Sequence, residues 1–438
     1  MTGYEIGMSM FGGVLILLVL RVPVAIAMLV TGATGYAAIL GLSPLLATLK
    51  SLPFTRFSSY TLSIIPLFLL MGEFATRSGM NTSLFGAARA WLGHRPGGLA
   101  MATIGGCAAF GALCGSSIAT AATMSHVAGP EMRKHGYSGA LTTGTLAGGG
   151  TLGILIPPSV ILVIYALYTE QSIGALFIAA IVPGVLAVLG YMAVIRIYVA
   201  IVPGAAPPAA RIPWPQRWAA SRQVWPAALV FFVVVGGIYD GWFTPTEAAA
   251  IGAVSVGLLG VVQGRICWPQ FVEAVRGTAV TTALIFLILL GAELFSAALA
   301  LTRMPAELSL RIVSLDVSPW LIMTMILVIY LVLGCVLESL AMVLLTLPVF
   351  TPVILALDLG MSPAQTAIWF GIMVLIAVEV GMISPPFGLN LFVINSMADG
   401  VSMGRTYVGV AGFCISDVVR LGLLMAFPQI ALWLTGVP

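Results

Sequence analysis

Charge is what this sequence lacks most. Of its 438 residues, 18 are Lys or Arg and 15 are Asp or Glu, so charged side chains make up 8%, about a third of the share usual in a soluble domain. With 60% hydrophobic residues and a mean hydropathy of +1.11, a water-soluble globule is excluded. The net charge of +3 comes from so few groups that it says nothing about nucleic acid, and no basic stripe with interleaved aromatics suggests a nucleic-acid partner. Histidine is scarce too: His94, His126 and His135 lie apart and suggest neither a proton relay nor a metal cluster. The five cysteines have no CxxC spacing and sit in or beside apolar segments, as small buried side chains rather than a disulfide framework or zinc site. No HExxH or GxSxG element marks an intramembrane enzyme, and no cofactor is implied.

The start, MTGYEIGMSM, has no basic n-region and no small-residue cleavage site, so the first apolar run is expected to remain as a helix. The alternating segments of roughly ten residues that build a membrane β-barrel are missing as well. In their place stand unbroken apolar runs at 11–20, 225–238 and 279–292, and in lipid such runs satisfy their backbones as helices. The fold class is therefore an all-α polytopic membrane protein.

An internal repeat organises it. GILIPPSVILVIY (153–165) lies over GMISPPFGLNLFV (381–393), placing Pro157-Pro158 over Pro385-Pro386 at an offset of 228 (385 − 157). GSSIATAATMSHVAGP (115–130) lies over LESLAMVLLTLPVFTP (337–352), placing Ser117 over Ser339 at an offset of 222 (339 − 117). Residues 1–202 then form a first repeat, with a hairpin over 97–130 and a broken helix over 138–167. Residues 224–438 form a second, with a hairpin over 318–356 and a broken helix over 362–398, and 203–223, rich in Pro and Arg, is the cytoplasmic linker. If each hairpin enters and leaves on one side, each half crosses the membrane five times and the second is inverted relative to the first. With residue 1 outside, the inner loops hold thirteen of the eighteen Lys and Arg and the outer ones only Lys50, Arg56, Arg303 and Arg311, as the positive-inside rule requires.

The chemistry is expected at the hairpin tips. A chain that turns back inside the bilayer leaves backbone groups unsatisfied, which is tolerated only inside protein or beside a water-filled cavity. Helix N-termini there attract an anion, and carbonyls at C-terminal ends and unwound stretches coordinate a cation. The candidates are Gly115, Ser116, Ser117 and Thr120 at the first tip, and Glu338 and Ser339 at the second. Pro157, Pro158 and Ser159 mark one broken helix; Ser384, Pro385, Pro386 and Asn390 mark the other. A lone Gly-Ser-Ser is more often a helix-packing surface, and a lone Pro pair a kink; recurrence at matching offsets favours a site. Glu338 stands out because an ionisable group in mid-hairpin is expensive in lipid. Arg420 has Asp417 three residues earlier for a local ion pair, and Thr246-Glu247, following Thr244-Pro245, resembles a helix-start cap with an acid in the first turn. Glu293 and Glu379 fit either a packing shell or an ion path.

GSSIATAATM, PEMRKHGY, the block GGTLGILIPPSVILVIYALYTEQSIGALFIAAIVPG, FTPTEAAAIGAV, LESLAMVLLTLPVFTPVI and ISPPFGLNLFVI, in this order, resemble the large membrane subunit of tripartite ATP-independent periplasmic transporters. The resemblance implies a sodium-coupled, elevator-type importer in the bacterial inner membrane. It would receive a small organic anion, such as a C4-dicarboxylate or sialic acid, from a periplasmic solute-binding protein. It would pair with a small four-helix membrane subunit, expected as a separate chain since 438 residues leave no room for a fusion. In such proteins the tips and broken helices bind substrate and sodium. Here the substrate would meet Ser116, Ser117, Thr120, Ser159, Glu338, Ser339 and Asn390; sodium would lie near Gly115, Ser116, Pro157, Pro158, Ser339, Ser384, Pro385 and Pro386. Glu338 departs from the Asp more common there. The alternative is a stand-alone divalent-anion/sodium symporter of related fold, which would need no binding protein.

Overall fold

A computed structural model of the chain describes residues 2–314, 317–398 and 400–437, and all regular structure among them is helical. Among the described residues, six single helices are long and apolar enough to cross a membrane: Ile173–Ile201, Pro245–Val262, Trp268–Leu301, Ser339–Ala356, Pro363–Ile383 and Met403–Ala426. Three further spans are bent pairs, making up to nine. Local signals set many helix starts. Thr244 accepts from the Glu247 backbone while the Glu247 carboxylate accepts from the Thr244 N–H, the reciprocal capping box. Ser138 and Ser172 cap Gly139–Leu155 and Ile173–Ile201 in the simpler way.

Each half contains a hairpin and a broken helix. The first hairpin has arms Gly98–Cys114 and Ser117–Lys134; the second has arms Pro319–Gly334 and Ser339–Ala356. The first broken helix is Gly139–Leu155 followed, across a 41° bend, by Val160–Thr169; the second is Pro363–Ile383 followed by Leu389–Met397. Both Pro-Pro bonds within the breaks are cis. The broken helices occupy the centre: from Leu141 to Leu155, and from Thr366 to Ile383, every side chain is buried.

The two halves also share a tertiary contact. The first arm of each hairpin crosses the broken helix of its own half at a pair of glycines. A Cβ on Gly111 would come within 2.7 Å of the Gly153 Cα, and one on Gly334 within 3.0 Å of the Gly381 Cα. Only glycine lets the backbones approach so closely, and these pairs sit at offsets of 223 (334 − 111) and 228 (381 − 153).

Two stretches between the spans are helical. Residues 42–56, which carry Pro44 and Pro53, form the helix Leu42–Phe57, bent by 58° against Tyr60–Arg77. Pro44 falls in the first turn, where its missing N–H has no intrahelical partner to lose, so it does not signal a loop. The second half of the 203–223 linker forms the helix Trp214–Arg222. Its Arg217 is 4% exposed, faces the Trp91 and Trp214 rings and donates from Nε to the Ile212 carbonyl at 2.8 Å. The linker's start is pinned too, with Ala205 and Ala206 carbonyls accepting from Ser138 and Gly97 N–H groups. This linker is docked, not a free tether.

Candidate functional site

At the first tip the chain turns in two residues. Gly115 takes the left-handed conformation, φ +63°, and ends the first arm with its N–H on the Gly111 carbonyl. Ser116 then starts the second arm, its hydroxyl accepting from the Ala119 N–H at 3.4 Å. At the second tip Glu338 has the same role, its carboxylate accepting from the Ala341 N–H at 3.2 Å. Ser159 caps the outgoing half of the first broken helix, accepting from the Leu162 N–H at 3.5 Å. Three of the expected residues are thus N-caps, and each marks a helix terminus with unpaired donors and a partial positive charge.

The tips come from opposite halves of the chain and meet. Gly115, Ser116 and Ser117 line the same cavity of about 660 Å³ as Glu338 and Ser339. Its far wall is mostly apolar and belongs to other helices, with Val24 on one and Leu284 and Ile288, beside Thr281, on Trp268–Leu301. Asn390 links the halves directly: its amide donates to the Ser117 hydroxyl at 2.5 Å, both side chains being buried. That leaves Asn390 Oδ1 and Thr120 Oγ1 buried without a hydrogen-bond partner among the described residues. Thr120 lies against the first broken helix, since a Cβ on Gly153 would be 2.5 Å from its Oγ1 and 2.6 Å from the Ser116 carbonyl oxygen. At the second tip the Ser339 hydroxyl meets the Met382 sulfur at 2.6 Å.

The other expected positions divide. Pro158 backs onto the first tip, its carbonyl oxygen 3.0 Å from where a Cβ on Gly115 would be. Ser159 is fully buried beside Val160, which lines the cavity. Pro157 faces away, into a separate apolar cleft with Ala180 and Gly184. Pro385 and Pro386 are exposed and do not line the tip cavity; the Pro386 carbonyl accepts from the Tyr407 hydroxyl at 2.5 Å. Ser384 lies 3.8 Å from the Cys414 sulfur. This break still joins the back of the second tip, because the Gly388 N–H donates to the Cys335 carbonyl at 3.2 Å.

The ambiguous acids find bases. Glu293 pairs with Arg56. Glu379 enlarges the expected Asp417–Arg420 pair into a buried network: Arg420 lies 3.1 Å from Glu379 and 3.0 Å from Asp417. Tyr191 donates to Asp417 at 2.7 Å. Sequence reading missed Tyr191, Met382 and the wall residues of Trp268–Leu301, since apolar or aromatic side chains within spans carry no signal of which cavity they border. The tip cavity offers hydroxyls, carbonyls, helix N-termini and one carboxylate. Such donors suit exchange of a small anion and a monovalent cation with water better than bond-breaking chemistry.

An all-helical membrane protein whose two halves contribute hairpin tips to one cavity has the architecture of a permease. Residues 11–430 match the family described as tripartite ATP-independent periplasmic transporter, DctM component, and the chain belongs to that family. It is 35% identical to the C4-dicarboxylate TRAP transporter large permease protein DctM of Pseudomonas aeruginosa over 92% of each chain. It is 30% identical to the sialic acid TRAP transporter large permease protein SiaM of Vibrio cholerae over 86% of each. Against the isethionate TRAP transporter permease protein DctMQ of Oleidesulfovibrio alaskensis it is 31% identical, covering 89% of this chain and 60% of that longer one. Among solved structures the fold is similar to the YdaH transporter of Alcanivorax borkumensis, with a TM-score of 0.65 and 16% identity over 94% of this chain and 98% of that one. The protein is a multi-pass inner-membrane permease subunit; the relatives are transporters, not enzymes.

Proposed function

We propose that this subunit imports a small organic anion by sodium-coupled alternating access, receiving it from a periplasmic binding protein. The observation that carries the reading is the shared cavity: two capped tips, joined by the Asn390–Ser117 hydrogen bond, face a mostly apolar wall of other helices. Helix N-termini at Ser117, Ser339 and Val160 suit a carboxylate; the carbonyls and hydroxyls around Gly115, Ser116, Pro158 and Ser339 suit sodium. Pro157, Ser384, Pro385 and Pro386 would act from behind, by holding the breaks open. Residues 97–167 and 318–398 would move together as the elevator while the remaining helices stay fixed, and the cavity's two kinds of wall fall on either side of that division.

The relatives transport C4-dicarboxylates, sialic acid and isethionate by name, so an organic acid is the substrate class. The greater length of the DctMQ relative supports pairing with a small membrane subunit. The test is uptake into proteoliposomes holding both membrane subunits, with the binding protein outside. Uptake should need an inward sodium gradient; a rate unchanged when choline replaces sodium would refute the coupling, and a rate unchanged without the binding protein would favour the stand-alone symporter.

A further inference from the structure

The apolar cleft behind Pro157 has no part in the site described above. It encloses about 500 Å³ between the first hairpin arm (Ala108, Ala112), the helix Ile173–Ile201 (Ala180 to Leu189) and the stretch Val224 to Phe232. Val185, Leu189 and Phe232 on its rim are more than half exposed, so the cleft opens sideways toward lipid. Followed along Ile173–Ile201, the face that carries Ile181, Val185 and Val188 leads two turns later to Arg196. There Arg196 lines a second pocket, of about 350 Å³, with Pro96 and Val199. Arg222 stands two residues before Val224, at the cleft's other wall. Neither arginine has a carboxylate within ion-pair distance among the described residues. Three tryptophans near this end, Trp214, Trp218 and Trp225, are 56%, 59% and 54% exposed, which is how aromatic side chains mark the headgroup level.

The dimensions agree. From Ala180 to Arg196 is 16 residues (196 − 180), or about 24 Å of helix. A leaflet with its headgroups is about 20 Å deep, so a molecule with its polar end at Arg196 would reach the bilayer centre in the cleft. We propose that the cleft binds an anionic phospholipid of the inner leaflet, an acyl chain against Pro157 and Ala180 and the phosphate at Arg196 and Arg222. Basic pockets on the cytoplasmic side of membrane helices recognise such headgroups. If the first hairpin moves as proposed above, the lipid lies on the seam between moving and fixed helices and its occupancy would bear on transport.

The binding itself is tested without solute or sodium, so its outcome is separate from that of the transport reading. The full chain, with its small membrane subunit retained where it co-purifies, is placed in nanodiscs of phosphatidylcholine with or without phosphatidylglycerol, and thermal unfolding is followed. Phosphatidylglycerol should raise Tm, and inorganic phosphate added to phosphatidylcholine discs should not. R196Q/R222Q should abolish the rise while keeping the wild-type Tm in phosphatidylcholine alone. A228F, which fills the cleft, should reduce the phosphatidylglycerol retained in native mass spectra. An equal Tm in both lipids, a full rise in the double arginine variant, or a rise that disappears once the small subunit is bound would each overturn the proposal.

Discussion

Replacing Ser117 by Ala removes one oxygen from the place where the two halves of the chain touch. The Ser117 hydroxyl accepts from the Asn390 amide at 2.5 Å, and without it a buried donor has no partner, at a cost of about 1–3 kcal/mol. Ser339→Ala removes a hydroxyl whose partner is the Met382 sulfur, a weak acceptor, so it should cost distinctly less stability. Transport should separate from stability. If both hydroxyls serve an ion or a carboxylate during the cycle, each loses an interaction with a charged partner, worth roughly 1.5–3 kcal/mol. Uptake at sub-saturating sodium should then fall about ten- to a hundred-fold in both variants, since each 1.4 kcal/mol is tenfold. Initial rates in proteoliposomes against sodium concentration, alongside Tm in detergent, read the two effects independently. Under a packing role, Ser117→Ala would lower Tm and Ser339→Ala would change little, with neither altering sodium dependence or solute affinity. That result would remove the tips from the site.

Three further outcomes are expected. Arg420→Leu leaves Glu379 and Asp417 buried without their base and should destabilise by about 3–5 kcal/mol, read as a large drop in Tm of the purified protein; a variant within about 0.5 kcal/mol of wild type, the usual range of a surface change, would mean the network is not held by charge pairing. Gly153→Ala places a methyl against the Ser116 carbonyl and Thr120 and should cost about 1–3 kcal/mol of overpacking, with loss of uptake even where the protein stays folded; unchanged Tm and uptake would refute the close approach. Cross-linking cysteines introduced at Val24 and Ile118, which line the tip cavity from opposite sides, with a thiol reagent should stop uptake reversibly and leave folding intact, whereas normal transport by the linked protein would refute the elevator.

The sequence by itself determined the membrane class, the helical fold and the duplication. Those follow from near-absent charge, unbroken apolar runs and two landmarks repeated at offsets of 222 (339 − 117) and 228 (385 − 157), all local or periodic properties that need no coordinates. It also located the tips, because glycine, serine and a capping acid break apolar helices for reasons internal to the chain. What only the tertiary structure decided was which groups meet. Asn390 and Ser117 are 273 residues apart, and nothing in either segment encodes the other. Pro157 and Pro158 are adjacent, yet one faces an apolar cleft and the other the first tip, because a sharply turned chain sends neighbouring residues to opposite sides. Glu379 could be read as part of an ion path until helix packing set it beside Arg420. In a chain this apolar, most side chains fit any interior, and the pairing of distant polar groups depends on how the helices pack around them.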